Sequence, residues 1–534
     1  MQFVIPMSGF GERFRAAGYV VPKPLIEVDG KPIIQYIVEM FSDEDDFVFI
    51  CNEDHLNNKA YEMESILKSI CPGGTIVAIP SHKLGPVYAV LKSINFIDLN
   101  EQVIVNYCDF TCDWDYIDFC NMVEDTECDG AIPCYRGFHP HTLWSNYYAY
   151  VQEQQMRAYN IQEKQPFTDR PREEFASSGT YYFKSGELMK KYFNQCIDEE
   201  LMVGGEYYVS MVYKPMMQNN LNIRVYELEH FMQWGVPSDL EEYRYWSSTF
   251  RSILNEDITP KHKGALILPM AGLGSRFQKE GYKTPKPLIS VSNQPMSVQA
   301  LMDLPRTEHQ RFVLRKDMLG IDELQKILLE KSSMAEFSVL NNMTDGQAST
   351  CVEGSSGLSA DEPVTIAACD NGMIYDTIKF QSLMDSEDVD VIVWAARGYP
   401  GAIRSPEMYG WIDAGMSGVV KDISVKKPLL NPSLDPIVVG TFTFKKLRDF
   451  LRSVDHMKSR NALVNGEYYV DTAINDAISL GLRCVIFEID SYICWGTPND
   501  LKTFEYWQSC FHKWYSHPYK LDLDPNFSIK SSFE

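Results

Sequence analysis

The sequence predicts an α/β protein built as two consecutive three-layer domains, each with a mostly parallel mixed sheet. Three observations carry that prediction: one long internal repeat, short apolar runs that alternate with helix-like segments, and a glycine-rich loop closing the first apolar run of each half.

The repeat sets the domain organisation. Ile5-Pro6-Met7-Ser8-Gly9-Phe10-Gly11-Glu12-Arg13-Phe14, followed by Gly18-Tyr19 and Pro22-Lys23-Pro24-Leu25-Ile26, returns at Leu268-Pro269-Met270-Ala271-Gly272-Leu273-Gly274-Ser275-Arg276-Phe277, with Gly281-Tyr282 and Pro285-Lys286-Pro287-Leu288-Ile289 behind it. In the same order, Cys108-Asp109 matches Cys369-Asp370, Gly179-Thr180 matches Gly440-Thr441, and Gly205-Glu206-Tyr207-Tyr208-Val209 matches Gly466-Glu467-Tyr468-Tyr469-Val470. A period this long predicts a duplicated domain rather than a solenoid, with boundaries at 1–258 and 259–534. The 534 residues are long enough for two separate cores.

Within each half the elements follow from periodicity. Residues 3–6 and 265–269 are apolar runs that suit buried strands entering loops. Residues 32–41 have helical spacing. Residues 47–50, 75–79 and 103–105 are further short apolar runs, separated by the helix-like stretches 57–70 and 87–97. In such sheets ligands sit beyond the C-terminal strand ends, where the glycine loops and the aspartates fall.

Composition excludes several function classes. The chain is 45% hydrophobic, 13% aromatic and 23% charged, the balance of a folded soluble protein. A formal charge of -24 argues against nucleic acid or an anionic membrane as partner, so any bound phosphate needs a few local cations. Up to His262 there are 21 Lys and Arg against 39 Asp and Glu, and the remainder has 28 against 34. Much of the first-half excess lies at 42–46 and 109–129, read as solvated acidic surface. No basic region or long apolar run precedes Phe10, and no stretch approaches the ~18 residues of a membrane span, so a cytoplasmic protein without membrane insertion is expected. Thirteen cysteines without a Cys-x-x-Cys pair read as reduced, buried side chains.

The chemistry resides in a combination of motifs. Gly9-x-Gly11-x-Arg13 with Lys23 ten residues beyond the arginine puts backbone N–H groups, a guanidinium and an ammonium at one strand end, the parts of a triphosphate cradle. No Gly-Lys-[Ser/Thr] follows, which excludes the P-loop, and the third glycine of the dinucleotide fingerprint is missing.

These residues resemble the nucleotidylyltransferases that join a nucleoside triphosphate to a phosphorylated sugar or similar phosphomonoester, on a fold shared with GT-A glycosyltransferases. Gly-Tyr-x-x-Pro-Lys-Pro-Leu and Tyr107-Cys108-Asp109-Phe110 are similar to a bacterial-type subgroup linked to capsule and surface-polysaccharide synthesis. The resemblance implies two tandem homologous Rossmann-like, GT-A-type domains. It also implies a substrate pair of nucleoside triphosphate and phosphorylated small acceptor, Mg2+ as cofactor, and a chain whose homo-oligomerisation is left open.

The resemblance further implies roles for individual residues. Ser8, Gly9 and Gly11, and Ala271, Gly272 and Gly274, wrap the triphosphate, with Arg13 and Lys23, or Arg276 and Lys286, on the departing pyrophosphate. Asp109 and Asp370 stand as magnesium ligands. Gly85, and Gly346 with Gln347, lie along the nucleobase. Lys164 and Lys426 grip the acceptor phosphate and Glu163 its hydroxyls, while Gly179 and Gly440 belong to the same pocket. Val425 replaces the glutamate in the second half and puts a sugar-like acceptor there in doubt. Where the family commonly has a second metal ligand, Gln233 and Cys494 stand, so Glu229 or Asp490, four residues earlier, is left open as a substitute. Trp234 and Trp495 read as packing residues. Two alternatives remain open: one domain catalytic with a regulatory sibling, or a glycosyltransferase using Asp113-Trp114-Asp115.

Overall fold

The computed structural model describes residues 1–41, 46–255 and 260–527. It divides into two compact units, one of residues 1–244 with 513–515 and one of residues 245–512 with 516–534. The division runs through the helix Pro237–Ile253, whereas the 258/259 boundary read from sequence lies outside the described residues. The acidic run at 42–46 is described only at Asp46.

In the first unit four parallel strands form one end of a ten-stranded sheet, in the spatial order Thr75–Ile79 at the edge, then Phe47–Asn52, Gln2–Met7 and Val103–Asn106. Thr180–Phe183 then joins antiparallel. Both faces of Gln2–Met7 are covered: Phe3, Ile5 and Met7 enter one apolar cluster and Val4 the other. This is why the strand reads as a continuous apolar run rather than as an alternating one. A separate ribbon pairs Phe110–Asp113 with His230–Gln233.

The second unit has the same plan. Ala335–Leu340, Arg306–Arg315, Lys261–Pro269 and Val364–Ile366 run parallel, Ile437–Phe444 follows antiparallel, and Asn371–Ile374 pairs with Ser491–Cys494 in a ribbon of its own.

Several helix expectations are refined. Residues 57–70 do not form one helix: Asn58 caps a short 3-10 turn, Glu62 takes a left-handed conformation, and the helix proper is Met63–Ile70. The stretch read as 87–97 is the helix Pro86–Lys92 followed by a 3-10 turn at Ile94–Phe96. None of the thirteen cysteines is joined in a disulfide, and eleven of them are buried. Trp234 and Trp495 are buried at 0% and 1% exposure, as packing residues should be. Among the described residues no helix is long and apolar enough to cross a membrane.

Candidate active site

The glycine loop begins where the first strand leaves the sheet. Gly11 takes φ 63 at the head of the short helix Glu12–Ala16, and Gly274 takes φ 63 before Ser275–Lys279; the left-handed turn lets the chain reverse without a Cβ clash. Gly9 and Gly272 are different, because a Cβ at either position would meet no protein atom within 4 Å. Their bareness leaves the loop open to approach from outside. Arg13 and Arg276 are exposed at the same turn.

The turn Lys23–Leu25 brings Lys23 Nζ to 2.8 Å from Asp109 Oδ2, and Lys286–Leu288 brings Lys286 onto Asp370. Burial alone would depress both ammonium groups, but the adjacent carboxylates hold them above their ordinary value. The cation read as gripping pyrophosphate and the acid read as gripping metal are therefore direct partners across more than 80 residues of chain.

In the second unit these groups surround a cavity of about 320 Å³, lined by Gly272, Gly274, Arg276, Lys286, Gln347 and Asp370 among others. Gly440 is not on its wall: a Cβ there would lie 3.2 Å from the Cβ of Ala368, which is. Gly179 likewise packs on the rings of Tyr107 and Phe110.

Gly85 and Gly346 have a steric task. A Cβ on Gly85 would lie 2.8 Å from both the N and O of Tyr207, and one on Gly346 would lie 2.5 and 2.6 Å from the N and O of Tyr468. Each glycine segment is stitched to that backbone, by Tyr207 N to Leu84 O at 2.9 Å and by Tyr468 N to Asp345 O at 2.9 Å. The Gly-Glu-Tyr-Tyr-Val repeat thus packs directly against the glycine segments read as lying along the nucleobase.

His82 was missed by sequence reasoning. Its Nδ1 accepts from Leu84 N at 3.2 Å, which leaves Nε2 carrying the proton 3.2 Å from Ser8 Oγ. Burial keeps the ring below its ordinary pKa and so neutral near pH 7. Lys83, the next residue, is ion-paired with Glu12 at 2.6 Å.

Among the residues read as acceptor-binding, Lys164 takes φ 62 and donates to Tyr208 Oη at 2.5 Å, and Tyr208 in turn donates to Glu206. Glu163 accepts from Ser210 Oγ at 2.6 Å; burial raises its pKa despite that bond and the nearby Lys164. Lys426 takes φ 61 and donates to the carbonyl of Met408, and burial lowers its pKa.

Gln233 flanks Asp109, since a Cβ on Gly235 would stand 3.0 Å from Gln233 Nε2 and 3.1 Å from Asp109 Oδ2. Glu229 precedes the far end of the ribbon, where His230 pairs with Asp113, and its carboxylate is taken by Lys513. Asp490 precedes the corresponding far end in the second unit. Four strand residues span roughly 13 Å, so neither carboxylate stands beside its aspartate. Cys494 donates to Asp500 and accepts from Gly496 N; burial, with Asp500 and Asp370 nearby, pushes its thiol well above the usual range. A neutral thiol is a poor magnesium ligand. Among the described residues no group of three His, Cys, Asp or Glu could hold a metal. One carboxylate per site still suits a magnesium ion held chiefly by substrate phosphates. Asp115 of the Asp-x-Asp spelling caps the helix Tyr116–Thr126, and Asp113 faces His230.

Residues 3–206 match the family model for nucleotidyl transferases. Over this segment the chain is similar to the nucleotidyltransferases. Solved structures similar to part of this chain include the nucleoside-diphosphate-sugar pyrophosphorylase from Vibrio cholerae RC9, at 19% identity over 46% of this chain and 99% of that one, with a TM-score of 0.38. Others are a putative glucose-1-phosphate thymidylyltransferase from Bacillus anthracis, at 17% over 46% and 94% with a TM-score of 0.36, and the inositol-1-phosphate CTP transferase from T. maritima, at 12% over 46% and 96% with a TM-score of 0.36. No curated protein matches the chain significantly.

Proposed function

We propose that the protein transfers a nucleoside monophosphate from a nucleoside triphosphate to a phosphorylated small acceptor, releasing pyrophosphate, and that its two units are tandem homologous domains. The observation that carries the reading is the convergence, in each unit, of a glycine loop, a lysine and an aspartate at one strand end. The shared strand order supports the duplication. A role in surface-polysaccharide precursor synthesis is supported by the Tyr-Cys-Asp-Phe and Pro-Lys-Pro-Leu segments.

In this mechanism the acceptor phosphate oxygen attacks the α-phosphorus in line with the leaving pyrophosphate, so no protein nucleophile is needed and catalysis is positioning with charge neutralisation. Loop N–H groups and Arg13 or Arg276 hold the triphosphate. Lys23 or Lys286, already charged against its aspartate, needs only to turn towards the leaving oxygens. Lys164 or Lys426 fixes the acceptor phosphate. Asp109 and Asp370 would hold magnesium, which supplies charge withdrawal from the phosphates. The test is pyrophosphate release from each of the four triphosphates with a panel of phosphorylated acceptors; no release from any pairing rejects the reading.

A second reading, in which the second unit senses nucleotide rather than reacts, is favoured by the turn of Lys426 onto Met408 and by the neutral Cys494. Asp109→Asn and Asp370→Asn, assayed singly, separate the two.

A further inference from the structure

We propose that Asp471 is the specificity-determining carboxylate of the second unit, accepting from an acceptor hydroxyl in the part that Glu163 takes in the first unit, so that the two units select different hydroxylated phosphomonoesters. The proposal rests on the reading above, in which Lys164 and Lys426 hold the acceptor phosphate.

Backbone hydrogen bonds define the equivalence. Lys164 N donates to Tyr148 O at 2.9 Å and Lys426 N to Tyr409 O at 3.1 Å, with both lysines left-handed. Glu163 is paired with Ala149 across its hairpin and Val425 with Gly410. Ser210 and Asp471 are each the second residue of the helix that follows the Tyr-Tyr-Val segment, Val209–Gln218 and Val470–Ser479.

Three positions have therefore changed together. In the first unit the strand supplies the carboxylate, the helix supplies the Ser210 hydroxyl that bonds to it, and Ala149 stands opposite. In the second unit the strand has lost its carboxylate at Val425 and the helix has gained one at Asp471. Opposite stands Gly410, where an added Cβ would lie 2.7 Å from Asp471 Oδ2. The missing methyl is what gives the new carboxylate its space.

Asp471 interacts electrostatically with Lys426, which also senses Arg276 and Asp370 of the cavity wall. Among the described residues no side-chain donor bonds to Asp471, and it is half-buried. A half-buried carboxylate that interacts with an ammonium can accept a hydroxyl. The carboxylate is carried by the helix in the second unit and by the strand in the first.

The test uses the full chain carrying Lys164→Ala, so that acceptor binding reports on the second unit. Calorimetry with a magnesium triphosphate present would follow glucose 1-phosphate, ribose 5-phosphate, glycerol 3-phosphate and inositol 1-phosphate, with hydroxyl-free ethyl phosphate as the reference. At least one hydroxylated probe should bind. Adding Asp471→Ser should weaken it about tenfold or more, the worth of one hydrogen bond to a charged group, while ethyl phosphate changes by less than about twofold. The combination Gly410→Ala, Val425→Glu, Asp471→Ser, which installs the first-unit trio, should recover binding of a hydroxylated probe. Equal loss for ethyl phosphate, no loss at all, or no binding of any hydroxylated probe overturns the proposal. If magnesium triphosphate uptake persists in those cases, only this inference fails; if uptake is absent as well, the catalytic reading fails with it.

Discussion

Lys23 and Asp109 neutralise one another at 2.8 Å, with side-chain exposures of 22% and 26%, and Lys286 and Asp370 do the same in the second unit. The pairing keeps an ammonium charged in a partly desolvated place, ready for an anionic ligand. Replacing Asp109 and Asp370 together by Asn should lower pyrophosphate release at least about a hundredfold, on the order of 3 kcal/mol in the barrier. Near-normal turnover of that double variant in a coupled pyrophosphate assay would reject the assignment. Sequence reading found all four residues because the Pro-Lys-Pro turn and the Cys-Asp strand end occur twice, yet it gave lysine and aspartate separate tasks. His82 and Asp471 were not legible: a lone histidine in a loop and an aspartate opening a helix have no distinguishing local pattern.

The helices Pro86–Lys92 and Gln347–Gly354 are docked by glycines that almost touch the backbones of Tyr207 and Tyr468. Gly85→Ala or Gly346→Ala combines a positive φ with a backbone overlap and should cost roughly 1–3 kcal/mol or more of stability, read as a lowered denaturation midpoint. Gly9→Ala and Gly272→Ala meet open space and ordinary φ, so their midpoints should move by less than about 0.5 kcal/mol. These two should instead weaken triphosphate binding in calorimetry. If all four glycines behave alike, the division between docking and ligand-facing glycines is wrong. From the sequence all four read as ligand-facing, Gly9 and Gly272 at the triphosphate and Gly85 and Gly346 along the nucleobase, because the docking contact depends on a neighbour more than 100 residues away in each unit.

Across the whole molecule, activity should divide between the units according to their chemistry. If both react, Asp109→Asn and Asp370→Asn each leave a residual rate with its own preference for triphosphate; if the second unit only senses, Asp109→Asn alone abolishes pyrophosphate release. Stability carries a separate signature. Burial, helped by nearby Asp524 and opposed by the N–H of Met373, pushes the Asp303 carboxyl up to about 7, with Asn526 Nδ2 on its other oxygen at 3.0 Å. The unfolded value is near 4, so between about pH 4 and 7 the folded state holds a proton that the unfolded state releases. Stability from this group is therefore greatest below pH 4 and declines as pH rises to 7. Asp303→Asn, which mimics the protonated form, should raise the thermal midpoint relative to the parent by a margin that grows from pH 5 to pH 8. A margin independent of pH would show that Asp303 does not titrate in this window.

The amino-acid sequence alone determined the α/β class, the strand-and-loop order and the repeated glycine, lysine and aspartate positions, because each is written in local periodicity or in a motif that occurs twice. Only the tertiary structure decided which residues meet. It joined Lys23 to Asp109, turned Glu229 away to Lys513 and moved the second unit's acceptor-side carboxylate from strand to helix. Those outcomes depend on register across a sheet and on one absent methyl group, contacts between residues far apart in the chain that no local pattern records.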